Sequence, residues 1–261
     1  MNAAPGTPAP VAPDDHVEPG APADAAHTGT PADAAGTALP GAHSVAPGAH
    51  EAKPLARGWI HLVTAPIALV VGLALVVTAP TLTARVTCAV FALTAVQLFA
   101  TSAIYHRGTW RPRLATLLRR LDHTNIFLLI AGTYTPLAAI LLPPRTATIL
   151  LSVVWSGALL GTLSRMFWLS APRWVYTPVY VALGWVAVWF MPDFWHTGGP
   201  AVVWLLAAGG LAYTLGAVAY ALKRPNPAPR VFGFHEIFHV GTVLGWGCHA
   251  GAVAVACLAA A

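Results

Sequence analysis

The sequence predicts an all-α membrane protein, a seven-transmembrane helix bundle with its N-terminus cytoplasmic and its C-terminus outside. Three observations carry this reading. The 261 residues are 57% hydrophobic and only 9% charged, with a mean hydropathy of +0.65, where a soluble domain carries about 25% charged residues. Seven apolar stretches follow one another, each long enough to cross a hydrocarbon layer of about 30 Å. With the N-terminus inside, all but Arg85 and Arg145 of the fourteen Lys and Arg residues fall on the cytoplasmic side, as positively charged loops require. The net charge of +5 is therefore a topology signal, and no nucleic-acid partner is expected.

Residues 1–52 are rich in Ala, Pro, Gly and Thr and hold six of the nine acidic residues. A segment of this kind buries too little apolar surface to offset the entropy of ordering, and a disordered cytoplasmic tail is expected. It has no basic stretch followed by an apolar one, so it does not read as a signal peptide. The membrane domain is expected over 53–261, with spans at about 58–79, 84–105, 122–143, 147–168, 173–192, 200–222 and 236–259. Basic loops at 106–121 and 223–235 separate spans two from three and six from seven. Pro66, Pro136 and Pro178 interrupt three spans and predict kinks. Gly209, Gly210 and Gly216 in the sixth predict close helix packing. Cys88, Cys248 and Cys257 lie in apolar runs and read as small core residues.

Polar side chains inside a membrane point to function. The stretch His235-Glu236-Ile237-Phe238-His239 opens the last span. Residues four apart on a helix differ by about 40° in azimuth and about 6 Å in height, so the two imidazoles face one way and suit one metal ion. Ser102 and His106 stand four apart at the end of span two, and Asp122 opens span three. The topology, derived from Lys and Arg alone, brings Ser102, His106, Asp122, His235 and His239 to one depth. His106, His235 and His239 then supply three nitrogen ligands and leave a fourth position for water, the pattern of a catalytic zinc site. Asp122 is placed to accept a hydrogen bond from that water and act as its base, and Ser102 to support it. Singly, each residue has a plainer reading: Asp122 as a helix N-cap, His106 as a helix-end imidazole, Ser102 bonded to its own helix. His123 lies about 100° round from Asp122 and is left out of the ligand set. His249, ten residues beyond His239, reads as a hydrogen-bonded core histidine. The pattern His235-Glu236-x-x-His239 also matches the short zincin motif, with Glu236 as base, but no third protease ligand or substrate groove accompanies it.

The runs Ser102-Ala-Ile-Tyr-His106, Leu121-Asp122-His123 and Ile130-Ala-Gly-Thr-Tyr-Thr-Pro136 resemble the hemolysin III branch of the progestin and adipoQ receptor family. The closing His235-Glu-Ile-Phe-His239, with Gly245 and His249 after it, is similar to that family's last helix. The resemblance covers residue 57 onward. It implies a seven-helix fold with the N-terminus inside and zinc near the cytoplasmic leaflet. It implies ligands at His106, His235 and His239, with Asp122 contacting the zinc-bound water. The family's first helix often carries a Glu and an Asn before its histidine; here the segment reads Arg57-Gly-Trp-Ile-His61, with neither. Three functions follow as expectations. The first is a zinc-dependent, ceramidase-like hydrolase of a lipid amide, with membrane lipid as both solvent and substrate. The second is a receptor or sensor with structural zinc. The third is the cytolytic, pore-forming role of the family name, which spans apolar nearly all round support least.

Overall fold

The computed structural model describes residues 54–261, and the expected tail at 1–52 lies outside the described residues. The membrane domain consists of seven α-helices, with no β-strand among the described residues. They are α1 (Trp59–Thr78), α2 (Leu82–Arg107), α3 (Pro112–Leu141), α4 (Pro144–Phe167), α5 (Arg173–Gly184), α6 (Met191–Leu222) and α7 (Phe234–Ala259). A six-residue 3-10 turn, Trp185–Phe190, joins α5 to α6. Among the described residues, six lengths of helix are long and apolar enough to cross a membrane, because α5, the turn and α6 form one continuous 50-residue length, Arg173–Leu222.

That length is not one straight rod, which would run about 75 Å against a bilayer core of about 30 Å. Gly199 leaves the helix at φ 76°, ψ 176°, with Pro200 after it, and α5 packs back against α6. The expected spans at 173–192 and 200–222 lie on either side of this break. A second irregularity, the 3-10 turn after α5, has its own support. The Tyr134 hydroxyl of α3 donates to the Gly184 carbonyl at 2.6 Å and accepts the Ala187 amide at 2.8 Å. A polar backbone group freed by a helix break inside a membrane needs such a partner.

Helix ends follow local chemistry. Thr81 caps α2 by accepting the Ala84 amide at 3.1 Å. Pro112 and Pro144 open α3 and α4 at positions where the missing N–H is no loss. Gly58 takes φ 81° ahead of α1, where a Cβ would stand 2.9 Å from the Cβ of His106; only glycine allows the chain to turn so close to α2. The expected proline positions, Pro66, Pro136 and Pro178, all lie inside helices.

Consecutive helices α1 to α4 pack side by side, α6 pairs with α7, and α7 closes the bundle against α1, α2 and α3. The centre is α3: 72% of its most apolar window is buried, against 28% for α1 and α4. Leu73, Val77, Leu93, Leu160, Leu215 and Leu258 are exposed on the outside, where acyl chains rather than water are the expected solvent. The α6–α7 seam is made by small residues, as expected of Gly209 and Gly216: a Cβ on Gly216 would stand 3.3 Å from the Gly241 Cα, and one on Gly209 would strike the His249 ring. Gly210 faces open space and takes no part. Cys88, Cys248 and Cys257 are free thiols within the apolar helices.

Candidate metal centre

His235 and His239 occupy the first two turns of α7, and their placement depends on how that helix begins. Gly233 caps it in extended conformation. Glu236, three residues on, returns its Oε2 to the Gly233 amide at 2.9 Å, the glutamate half of a capping box. The other oxygen of this fully buried carboxylate pairs with Arg57, just ahead of α1. The backbone there is also tied to the loop before α7, through Leu55 N to Arg230 O and Ala56 N to Val231 O. The first turn of α7 is thus fixed from both sides. Glu236, the base of the zincin reading, is occupied on both oxygens by structural partners.

His106 projects from the last turn of α2. Its Nε2 stands 3.2 Å from Nε2 of His235, and one ring nitrogen from each of His106, His235 and His239 falls within 4.8 Å of the others. Tetrahedral zinc with Zn–N bonds of 2.0–2.1 Å places its ligand nitrogens about 3.3 Å apart. The three-nitrogen donor set suits such an ion, and the His106–His235 separation matches this spacing. His239 Nδ1 is buried without a hydrogen-bond partner among the described residues, a state that calls for an explanation such as an ion.

Asp122 lies eleven residues into α3, so it is not an N-cap. Its Oδ2 is 3.6 Å from His106 Nε2 and 3.9 Å from His123 Nδ1. His123 itself bonds the Arg119 carbonyl at 2.7 Å and stays outside the three-nitrogen set. Ser102 is buried one turn before His106 and lines the same cavity as Asp122. His249, as expected, approaches a helix carbonyl, Leu206 O at 3.4 Å.

The cluster sits at one end of an internal cavity of about 280 Å³. Its lining follows α3 from Asp122 to Leu137, about 22 Å of helix, and is mostly apolar beyond the histidines, with Leu129, Ile130, Val188, Phe194 and Leu206 among the walls. Two of the nitrogen donors, His235 and His239, line this chamber together with Asp122 and Ser102, and His106 stands beside them at its end.

Two site features escape sequence reading. His61 lies flat on His239, ring centroids 3.8 Å apart and planes 12° from parallel; nothing along the chain signals a stack between the first and last helices. Arg57 pairs with Glu236 across 179 positions. The capping half of that arrangement did have a signal, a glycine followed three residues later by glutamate at the head of an apolar run.

A sequence profile described as "Haemolysin-III related" matches residues 49–250. The chain is 32% identical to "Hemolysin-3 homolog" of Bacillus subtilis (strain 168), over 60% of this chain and 70% of that protein. It is 29% identical to "Hemolysin-3" of Bacillus cereus, over 55% of this chain and 65% of that protein.

Proposed function

The chain belongs to the haemolysin-III related family, and on that premise we propose that it is a zinc-dependent membrane hydrolase acting on a lipid amide. It is a multi-pass integral membrane protein of the cell membrane. In this reading it crosses seven times, the break at Gly199 dividing the fifth span from the sixth, with the N-terminus and the histidine cluster on the cytoplasmic side.

The observation that carries the reading is the meeting of a three-histidine cluster with an apolar cavity, which His235, His239 and Asp122 line and His106 adjoins. His106, His235 and His239 would hold the ion. When bound, zinc supplies Lewis-acid polarisation of a carbonyl and lowers the pKa of water. The remaining work falls to the protein. The cavity takes the acyl chain and excludes water from it. Asp122 accepts a proton from the attacking water, whose oxygen bonds to the acyl carbon. The same carboxyl then returns the proton to the departing amine nitrogen as the C–N bond breaks. Ser102 positions the Asp122 carboxylate.

The name of the Bacillus relatives, hemolysin, points to membrane lysis. A pore calls for polar stripes along several helices, and the cavity walls among the described residues are mostly apolar, so lysis ranks below hydrolysis. The deciding experiment is zinc content of the detergent-purified protein beside a His235→Ala, His239→Ala variant, followed by a screen of lipid amides. One zinc per chain, lost in the variant, with amide turnover in the wild type, is the expected result. A folded wild type without metal overturns the reading. Zinc without turnover of any lipid amide leaves the ion a structural role between α2 and α7. Dye release from liposomes, with or without metal, favours lysis.

A further inference from the structure

A second cavity, of about 320 Å³, adjoins the histidine cluster on the side away from the apolar chamber's depth. Its walls include Arg57, Arg119, Arg165 and Arg173. His123, Tyr176, Tyr220 and His235 line both cavities, so the two meet at the candidate metal centre.

The arginines are not all ordinary charges at a membrane surface. Arg165 is 2% exposed. Its guanidinium lies 4.2 Å from the Tyr176 ring centre and donates once, to the Trp168 carbonyl at 3.2 Å, while its Nε is buried with no hydrogen-bond partner. Arg173 stacks over Tyr220 at 4.4 Å and donates to that residue's carbonyl at 3.3 Å. Among the described residues, only Arg57 of the four has a carboxylate within 4 Å, that of Glu236. A buried guanidinium with unmet donors calls for an acceptor, and arginine forks held in place by aromatic faces match the oxygens of a phosphate.

We propose that this vestibule binds a phosphate group, with Arg165 and Arg173 as its principal donors. The assignment rests on the hydrolase reading for one point, that the phosphate is the head of an amphiphile. Its chain then enters the apolar cavity, and its scissile bond lies between the two chambers, at Asp122 and the histidines. The substrate class narrows from lipid amides to those with a phosphate head. Free phosphate carries the same chemistry without the tail.

The test is equilibrium binding to the detergent-purified full chain, with dodecyl phosphate, dodecanol and inorganic phosphate as probes. Wild type is compared with Arg165→Gln and Arg173→Gln, and zinc is measured in the same samples. Dodecyl phosphate is expected to bind at least tenfold more tightly than dodecanol, and both variants to lose most of that preference with zinc content unchanged. Arg173 is partly exposed, so its variant keeps the test decisive should Arg165→Gln fail to fold. Inorganic phosphate binding as tightly as dodecyl phosphate, with the same loss in the variants, supports the anion site and assigns it to the free ion. Equal binding of dodecyl phosphate and dodecanol, or a preference that survives in Arg173→Gln, overturns the proposal. Binding is read without turnover, so the two readings fail separately. Arginine-dependent phosphate binding without any amide hydrolysis retires the hydrolase alone, and hydrolysis with no phosphate preference retires the vestibule alone.

Discussion

The imidazole of His61 lies on that of His239, with ring centroids 3.8 Å apart and planes 12° from parallel. Both rings are 2% exposed, and His61 is outside the set of three nitrogens that approach one another. The stack gives the His239 ring a flat neighbour on one face, and this contact is expected to orient the ring. His61→Phe keeps an aromatic face there and is expected to retain one zinc per chain, with affinity reduced by about tenfold at most. His61→Ala removes the support and is expected to weaken zinc by about 10–100-fold, the usual effect of losing a partner that orients a ligand. Competition with a chromogenic chelator measures both. Complete loss of metal in His61→Phe would instead make His61 a ligand.

Asp122 is the base of the proposed hydrolysis. A positioned base contributes about 10²–10⁴-fold to rate, so Asp122→Asn is expected to lower lipid-amide turnover by at least about 100-fold while zinc stays at one per chain. Unchanged turnover in a zinc-loaded Asp122→Asn protein would remove the carboxylate from the mechanism.

Hydropathy marks where a helix meets lipid, not where it begins. That is why Asp122 reads as the head of a span from sequence, although α3 starts at Pro112. The ten residues before Asp122 include Arg113, Arg119 and Arg120, so they look like loop while folding as helix. The same limit applies to Arg173–Leu222, where one continuous helical length covers two expected spans and only a backbone angle at Gly199 marks the reversal. The convergence of His106, Asp122, His235 and His239 was legible because each sits at a span end, and topology sorts ends by side. The His61 stack and the Arg57–Glu236 pair depend on how α1 packs against α7, which no local pattern encodes.

Glu236 separates a structural carboxylate from a catalytic one. It is fully buried and joined to Arg57, whose side chain is 21% exposed. Removing one partner of a buried pair costs about 3–5 kcal/mol, and the partial exposure of Arg57 argues for the lower end. Glu236→Ala is expected to lower the Tm in detergent markedly. Glu236→Gln, which can still accept the Gly233 amide, is expected to fall between it and wild type. Turnover per folded, zinc-loaded chain should change little in Glu236→Gln. A stable Glu236→Gln protein with zinc but no turnover would restore the zincin reading.

The seam between α6 and α7 positions the histidines through their backbone. A Cβ on Gly241 would meet the Ala212 carbonyl oxygen at 2.8 Å and the Gly216 Cα at 3.0 Å, both backbone atoms, whereas one on Gly247 of the same helix meets nothing. Overpacking of this kind costs about 1–3 kcal/mol. Gly241→Ala is therefore expected to lower the Tm and, by shifting α7, to weaken zinc at His239 two residues away. Gly247→Ala is expected to be neutral or to stabilise by up to about 1 kcal/mol. Thermal unfolding of the two variants side by side checks the seam with composition held constant.

Tyr134 tests whether the 3-10 turn after α5 is held from α3. Its hydroxyl both donates to Gly184 O and accepts from Ala187 N, and both groups lie in a helical length apolar enough to cross the membrane, where lipid offers no substitute partner. Tyr134→Phe keeps the ring and deletes only the oxygen. An orphaned buried polar group costs about 1–3 kcal/mol; two are created together, and the loss concentrates where the 3-10 turn begins. Amide hydrogen exchange is expected to rise at Ala187 and its neighbours while α1, α2 and α7 keep wild-type protection and zinc stays bound. Uniform loss of protection across all helices would show instead that Tyr134 supports the whole bundle, and unchanged exchange at Ala187 would show that the turn holds itself.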